Sequence, residues 1–113
     1  MATHHAAAGE IVDLATWAND LPVEKSKVIA KTRGIELARL VIGAGVDMHN
    51  SEYCSVDGTV VIHCIDGEIL LKTREARISL SPGQLAYLDG GTEHALAGVK
   101  NSVVLLTIVL ASA

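Results

Sequence analysis

The sequence predicts an all-β domain, a sandwich or a barrel, and three observations carry that expectation. Branched apolar residues gather in short runs, foremost residues 59–65 and 102–110, and β-branched side chains pack well on a pleated surface. Glycine-containing turns punctuate those runs at regular spacing, at Thr32-Arg33-Gly34, Gly43-Ala44-Gly45, Asp66-Gly67, Ser81-Pro82-Gly83 and Gly90-Gly91. A chain of 113 residues, 50% of them hydrophobic and none of them Phe, builds one core from Val, Ile, Leu and Ala. Pattern alone does not choose between sandwich and barrel.

Taken in order, residues 1–9 are rich in Ala and His, without period, and read as a frayed end in which His4 and His5 are tail residues. Residues 11–17 carry apolar side chains at 11, 12, 14, 15 and 17, a pattern open to a short strand or a helical turn, and Asp20-Leu21-Pro22 is a turn. An N-terminal arm, 1–22, therefore precedes a single domain, 23–113. Residues 23–31 scatter charges among Val and Ile as a half-exposed strand does, and 35–42 form the next strand. After Gly45 comes a polar loop, 50–58. The run 59–65 is apolar enough to be covered on both faces, Asp66-Gly67 signals a hairpin, and 68–72 returns. Strands at 76–80, 85–88, after His94, and at 102–110 complete the chain.

Composition narrows the functional classes. Nine basic against thirteen acidic residues give a net charge of −4 with no basic patch, so nucleic acid is not an expected partner. The longest apolar stretches, 103–106 and 108–111, are too short to span a membrane. The N-terminus lacks the charged and apolar regions of a signal peptide. Two cysteines are too few for a disulfide framework, and reduced thiols in a cytoplasmic protein are expected, with Cys54 in a loop and Cys64 a small core hydrophobe.

The stretch from Gly83 to His94, Gly-Gln-Leu-Ala-Tyr-Leu-Asp-Gly-Gly-Thr-Glu-His, is the most informative. It reads as strand, tight turn, strand, with Gly90 and Gly91 supplying positive φ and His94 at the mouth of the next strand. Its spacing resembles the second motif of the cupin superfamily: Gly83, Gly91 and His94 match, while Asp89 stands where that family has proline. The first cupin motif is matched by Gly43, His49 and Gly67, and fifteen residues separate Gly67 from Gly83, as in compact single-domain cupins. The resemblance implies a cupin-type double-stranded β-helix, a jelly-roll barrel, with Gly43, Gly67, Gly83 and Gly91 as its structural turns.

It also implies a metal site, and here the chain departs from the family. The second histidine of motif one falls on Ser51, its glutamate falls on Val60, and the interval from His49 to Gly67 is four or five residues longer than the pattern. Of the four usual ligands His49 and His94 remain, and two imidazoles alone hold a divalent ion weakly. Glu52, Cys54 and His63 are candidates to complete the shell, and Cys64, which shares the parity of Val60, is expected to face the cavity. His63 has the opposite parity and is expected to point outward. Val60, Ile62, Cys64 and Tyr87 are the expected pocket lining, and Asp89 is a turn former.

Two functions follow from different classes. One is a metal-poor barrel that binds a small organic ligand, with a partial site for one divalent ion (Zn, Fe, Mn or Ni). The alternative is a metal-dependent cupin enzyme, of dioxygenase or isomerase type, with His49 and His94 among its ligands. A homodimer is expected, with the strand at 23–31 adding to a partner's sheet edge.

Overall fold

The computed structural model describes residues 5–12, 14, 26–49 and 52–110. Within them lie eight strands: β1 (Lys27–Lys31), β2 (Ile35–Ile42), β3 (Val60–Asp66), β4 (Ile69–Thr73), β5 (Arg77–Leu80), β6 (Leu85–Leu88), β7 (His94–Gly98) and β8 (Ser102–Val109). They form a five-stranded sheet, β1-β2-β8-β3-β6, and a three-stranded sheet, β5-β4-β7, antiparallel throughout. No helix occurs among the described residues, so the fold is all-β, a jelly-roll. None is therefore long and apolar enough to cross a membrane. Of the segment 11–17 and the turn at 20–22, only Ile11, Val12 and Leu14 are among the described residues; of the strand expected over 23–31, residues 26–31 are.

The core lies between the two sheets and is set by alternation. On β3 the side chains of Val60, Ile62 and Cys64 point inward and are 2%, 0% and 0% exposed, and Val104 of β8 joins them. Ile69, Leu71, Leu80 and Leu96 close the cluster from the three-stranded sheet. Each such aliphatic side chain contributes roughly 2 kcal/mol by leaving water. The run 59–65 was expected to be covered on both faces; its inward face is buried, while Val61, His63 and Ile65 on the outer face are half-buried.

Three turns expected from sequence differ in kind. Asp66-Gly67 does not close a hairpin, because β3 and β4 belong to different sheets. It is a corner: Gly67 takes φ 83° against the Asn101 and Ser102 backbone, and the Ser102 hydroxyl accepts from the Glu68 N–H at 2.9 Å. In the Gly90-Gly91 pair only Gly91 has positive φ, 82°, and in Gly43-Ala44-Gly45 the left-handed residue is Gly45 rather than Gly43. At the edge of the larger sheet, β1, the Ala6 N–H donates to the Ile29 carbonyl, so the chain's own arm takes up part of that edge.

Candidate functional site

His94 opens β7 opposite Thr73 of β4 and shares the inward parity of Leu96 and Leu71. That parity turns its ring into the barrel, where the residue is 5% exposed. Its backbone makes a two-residue bridge with Cys54 of the long β2–β3 loop: each N–H donates to the other's carbonyl, at 2.9 and 2.8 Å. The loop is fastened beside this bridge by Tyr53, whose hydroxyl donates to the Thr73 carbonyl at 3.3 Å. Arg74 lies 4.2 Å over the Tyr53 ring and pairs with Glu93 at 3.2 Å.

His49 arrives from the turn after β2. The Asp47 carboxylate accepts from the His49 N–H at 2.9 Å and from the Lys72 ammonium at 2.7 Å, which ties this turn to β4. Met48 donates its N–H to the Leu96 carbonyl at 2.9 Å. The Leu96 N–H in turn donates to His49 Nδ1 at 3.2 Å. These bonds bring the two imidazole centroids to 6.2 Å, edge to face at 71°.

Cys54 Sγ sits between the rings, 3.0 Å from His49 Nε2 and 3.7 Å from His94 Nε2. The backbone assigns the tautomers. An amide N–H only donates, so His49 Nδ1 is bare and the neutral ring carries its proton on Nε2, facing the sulfur. A carbonyl only accepts, so His94 Nδ1, 3.0 Å from the Thr92 oxygen, carries a proton, and in a neutral imidazole the lone pair is then on Nε2. The bonds run in one sense: Leu96 N–H to His49, His49 Nε2–H to Cys54, Cys54 S–H to His94, His94 Nδ1–H to Thr92. Burial lowers the His49 pKa, with the His94 ring adding to the effect, and raises that of the Cys54 thiol, so the neutral chain is favoured.

The sequence candidates therefore separate. His49 and His94 come together, and the sulfur that joins them is Cys54. Cys64 is not in this cluster: its thiol points at the Asp66 and Gly67 carbonyls, 3.5 and 3.9 Å away, beside the corner at the other end of β4. Glu52 is exposed, its backbone N–H donating to the His49 carbonyl at 2.8 Å. Val60 and Ile62 face inward with Cys64 but lie in the packed core. Tyr87 does not line the interior; on β6 it alternates outward and is 66% exposed. His63, opposite Leu85 and Leu105, also lies on the outer face. Sequence reasoning missed the clasp of Tyr53, Arg74 and Glu93, whose members lie far apart in the chain.

Among the described residues no group of three or more His, Cys, Asp or Glu side chains is arranged to hold a metal ion. The hydrogen bonds show why. Zn–S near 2.3 Å and Zn–N near 2.05 Å place sulfur and nitrogen about 3.5 Å apart across a tetrahedral ion. The Cys54–His94 separation of 3.7 Å fits that span, and the Cys54–His49 separation of 3.0 Å does not. His49 also presents a proton where a ligand must present a lone pair.

No protein-family model matches the sequence, and no curated protein matches it. Solved structures do. A cupin-2 domain containing protein from Shewanella frigidimarina superposes with a TM-score of 0.74 at 13% identity, covering 88% of this chain and 94% of that one. A cupin superfamily protein from Desulfitobacterium hafniense gives 0.71 at 16% identity, covering 77% of each. KdgF from Halomonas sp. gives 0.67 at 16% identity, covering 81% of this chain and 84% of that one. The chain has the cupin fold.

Proposed function

We propose that this cupin-fold barrel binds a small organic ligand at the centre formed by His49, Cys54 and His94. The observation that carries the reading is the convergence of both Nε2 atoms on one sulfur, on inward-facing positions that the fold holds by backbone bonds. The Cys54 thiol, which accepts from one ring and donates to the other in this chain, is the group a ligand's polar atom would meet. One divalent ion (Zn, Fe, Mn or Ni) is part of the proposal, through His94 Nε2 and Cys54 Sγ, the pair whose spacing suits it. When bound it would supply a Lewis acid. The same pair supports the second reading, a metal-dependent enzyme of dioxygenase or isomerase type.

We further propose a cytoplasmic homodimer. The two cysteines are unpaired, in keeping with a reducing compartment. The outer face at β6 carries Leu85 and Tyr87, 57% and 66% exposed, a pair of large apolar side chains suited to a partner subunit.

The test is a thermal-shift screen of small organic acids, amides and sugars in the presence of chelator, repeated on Cys54→Ala. A ligand present at about 100 times its Kd adds about 2.7 kcal/mol of stability. Shifts seen in the wild type and lost in Cys54→Ala support the site. A wild type that no compound moves, or shifts retained in the variant, overturns it.

A further inference from the structure

The outer face of the larger sheet carries a row of side chains that the barrel centre does not use. Lys27 of β1, Arg39 of β2, Leu105 of β8, His63 of β3 and Leu85 of β6 lie side by side in register. Arg39 is 0% exposed, and its Nε, Nη1 and Nη2 have no hydrogen-bond partner among the described residues. Its neighbours explain this. Its cross-strand partners are a second cation, Lys27, and an aliphatic side chain, Leu105, and the next positions on its own strand face are Leu37 and Val41. None of these side chains accepts a hydrogen bond. Burial lowers the Arg39 pKa, yet a guanidinium keeps its charge in a protein. A buried charge without a counter-ion is costly to hold.

Beside Arg39 lies a cleft. The N-terminal arm is fixed along β1 by the Ala6 N–H, which donates to the Ile29 carbonyl at 2.7 Å, and by a turn in which Glu10 Oε1 accepts from the Ala7 N–H at 3.0 Å. Between arm and sheet opens a cleft of about 400 Å³, a size that accepts small molecules. The sheet contributes Ile29, Leu37 and Leu105 to it, and the arm contributes Val12 and Leu14. Its polar members, Glu10 and Thr32, are exposed and engaged, Thr32 Oγ1 accepting from the Gly34 and Ile35 N–H groups at 3.1 Å. Leu37 and Leu105 are the side chains that flank Arg39, the second directly opposite it at about 5 Å between Cβ atoms. The guanidinium is thus one side chain away from an aliphatic cleft. We propose that this cleft binds an aliphatic monocarboxylate, its chain against Ile29, Leu37, Leu105, Val12 and Leu14 and its carboxylate on the Arg39 guanidinium. A carboxylate accepts two parallel N–H bonds from a guanidinium, so one anionic head satisfies two of the three orphaned nitrogens and neutralises the charge. Arg39 meets the head by turning over Leu37 or Leu105, a change of rotamers that leaves the sheet in place. The site lies outside the barrel and stands apart from the barrel-centre reading.

Octanoate is the probe, titrated into the full chain by calorimetry at neutral pH, with octan-1-ol as the tail without the charge and acetate as the charge without the tail. Octanoate is expected to saturate at one per chain. Each methylene added between butanoate and octanoate is expected to tighten binding by up to about fourfold as it enters the cleft. Octanol is expected to bind at least about 30-fold more weakly than octanoate, since it leaves the guanidinium unpaired. Arg39→Met is expected to weaken octanoate by at least about 30-fold and to bring it level with octanol. Ala30→Phe, on β1 opposite Leu37, fills the cleft without removing the guanidinium and is expected to abolish octanoate binding, its fold checked by circular dichroism. Cys54→Ala is expected to bind octanoate as the wild type does. Equal affinities for octanoate and octanol, an affinity unchanged in Arg39→Met or in folded Ala30→Phe, or no saturation at millimolar octanoate overturns the proposal. Loss of binding in Cys54→Ala overturns it too, by placing octanoate at the barrel centre.

Discussion

Replacing Gly98 by Ala tests how the His49 turn is seated. Gly98 lies on β7 opposite Ile69 and is buried, and its backbone is bonded on both sides to the turn after β2: its N–H donates to the Val46 carbonyl at 2.9 Å, and its carbonyl accepts from the Gly45 N–H at 2.8 Å. A Cβ at this position would fall inside the shell of the Gly43 carbonyl oxygen and stand 3.0 Å from Ile42 Cγ2. The obstructing atom is backbone, so no rotamer relieves it, and the Gly43 peptide must retreat by about 1 Å to restore ordinary contact. Overpacking of this kind costs about 1–3 kcal/mol. Since the displaced backbone is tied by those two bonds, the upper part of that range is expected, a fall of roughly 10–15 °C in Tm for a domain of this size. The same displacement carries His49 away from Cys54. Thermal and urea unfolding measure the first effect. The chemical shift of the His49 Nε2 proton, with its coupling to the sulfur lost, reports the second. A Gly98→Ala protein within about 0.5 kcal/mol of wild type, the scatter of neutral surface changes, would refute the reasoning.

Arg39, on the outer face of β2 opposite Lys27 and Leu105, is 0% exposed, and its three guanidinium nitrogens have no hydrogen-bond partner among the described residues. Arg39→Met should therefore raise stability, by about 1 kcal/mol or more in urea unfolding, and a loss would show that the charge is compensated. In the ion-free protein burial makes His49 harder to protonate folded than unfolded, where its value is near 6.5. Between the lowered folded value and that ordinary one the unfolded chain binds more protons, so stability is full above the window and is lost as pH falls through it. Urea midpoints followed from neutral to acid pH should show this slope, and His49→Gln should flatten it; an unchanged slope counts against the assignment. Light scattering at micromolar concentration should give a dimer for the wild type and a monomer for the pair Leu85→Asp and Tyr87→Asp, and a monomeric wild type ends the dimer proposal.

The strands were legible because alternation and glycine punctuation are local signals. Residues 35–42 and 85–88 coincide with β2 and β6, and the remaining strands differ by one or two residues at their ends except β1, which begins at Lys27 where a strand from residue 23 is expected. The sheet membership of neighbours was not legible. Asp66-Gly67 has the composition of a hairpin, yet what turns β3 away from β4 is the Ser102 hydroxyl and the Asn101 backbone, some 34 residues downstream. Tyr87 illustrates a parity error. It is aromatic and sits in the informative motif, but β6 pairs in register with β3, Val61 opposite Tyr87 and Ile62 opposite Ala86, so Ala86 and Leu88 take the inward face. His63 follows from the same parity rule applied to β3, with no motif to pull against it.

Cys54 shows where the site parts from motif spacing. Counting back from Gly67 puts the missing carboxylate on Val60, a core residue at 2% exposure, and counting forward from His49 puts the missing histidine on Ser51. Neither count lands on Cys54, because the interval between His49 and Gly67 is lengthened and the extra residues form a loop with contacts of its own. That loop reaches β7, pairs Cys54 with His94 through two backbone bonds, and anchors Tyr53 on Thr73. The sulfur's position thus depends on main-chain pairing across 40 residues, a signal that no spacing rule contains. The lengthened loop is therefore what brings the sulfur to the two imidazoles. Shortening the loop to the family's interval would remove the bridge that places the sulfur, and Val60 behind it has no donor to offer.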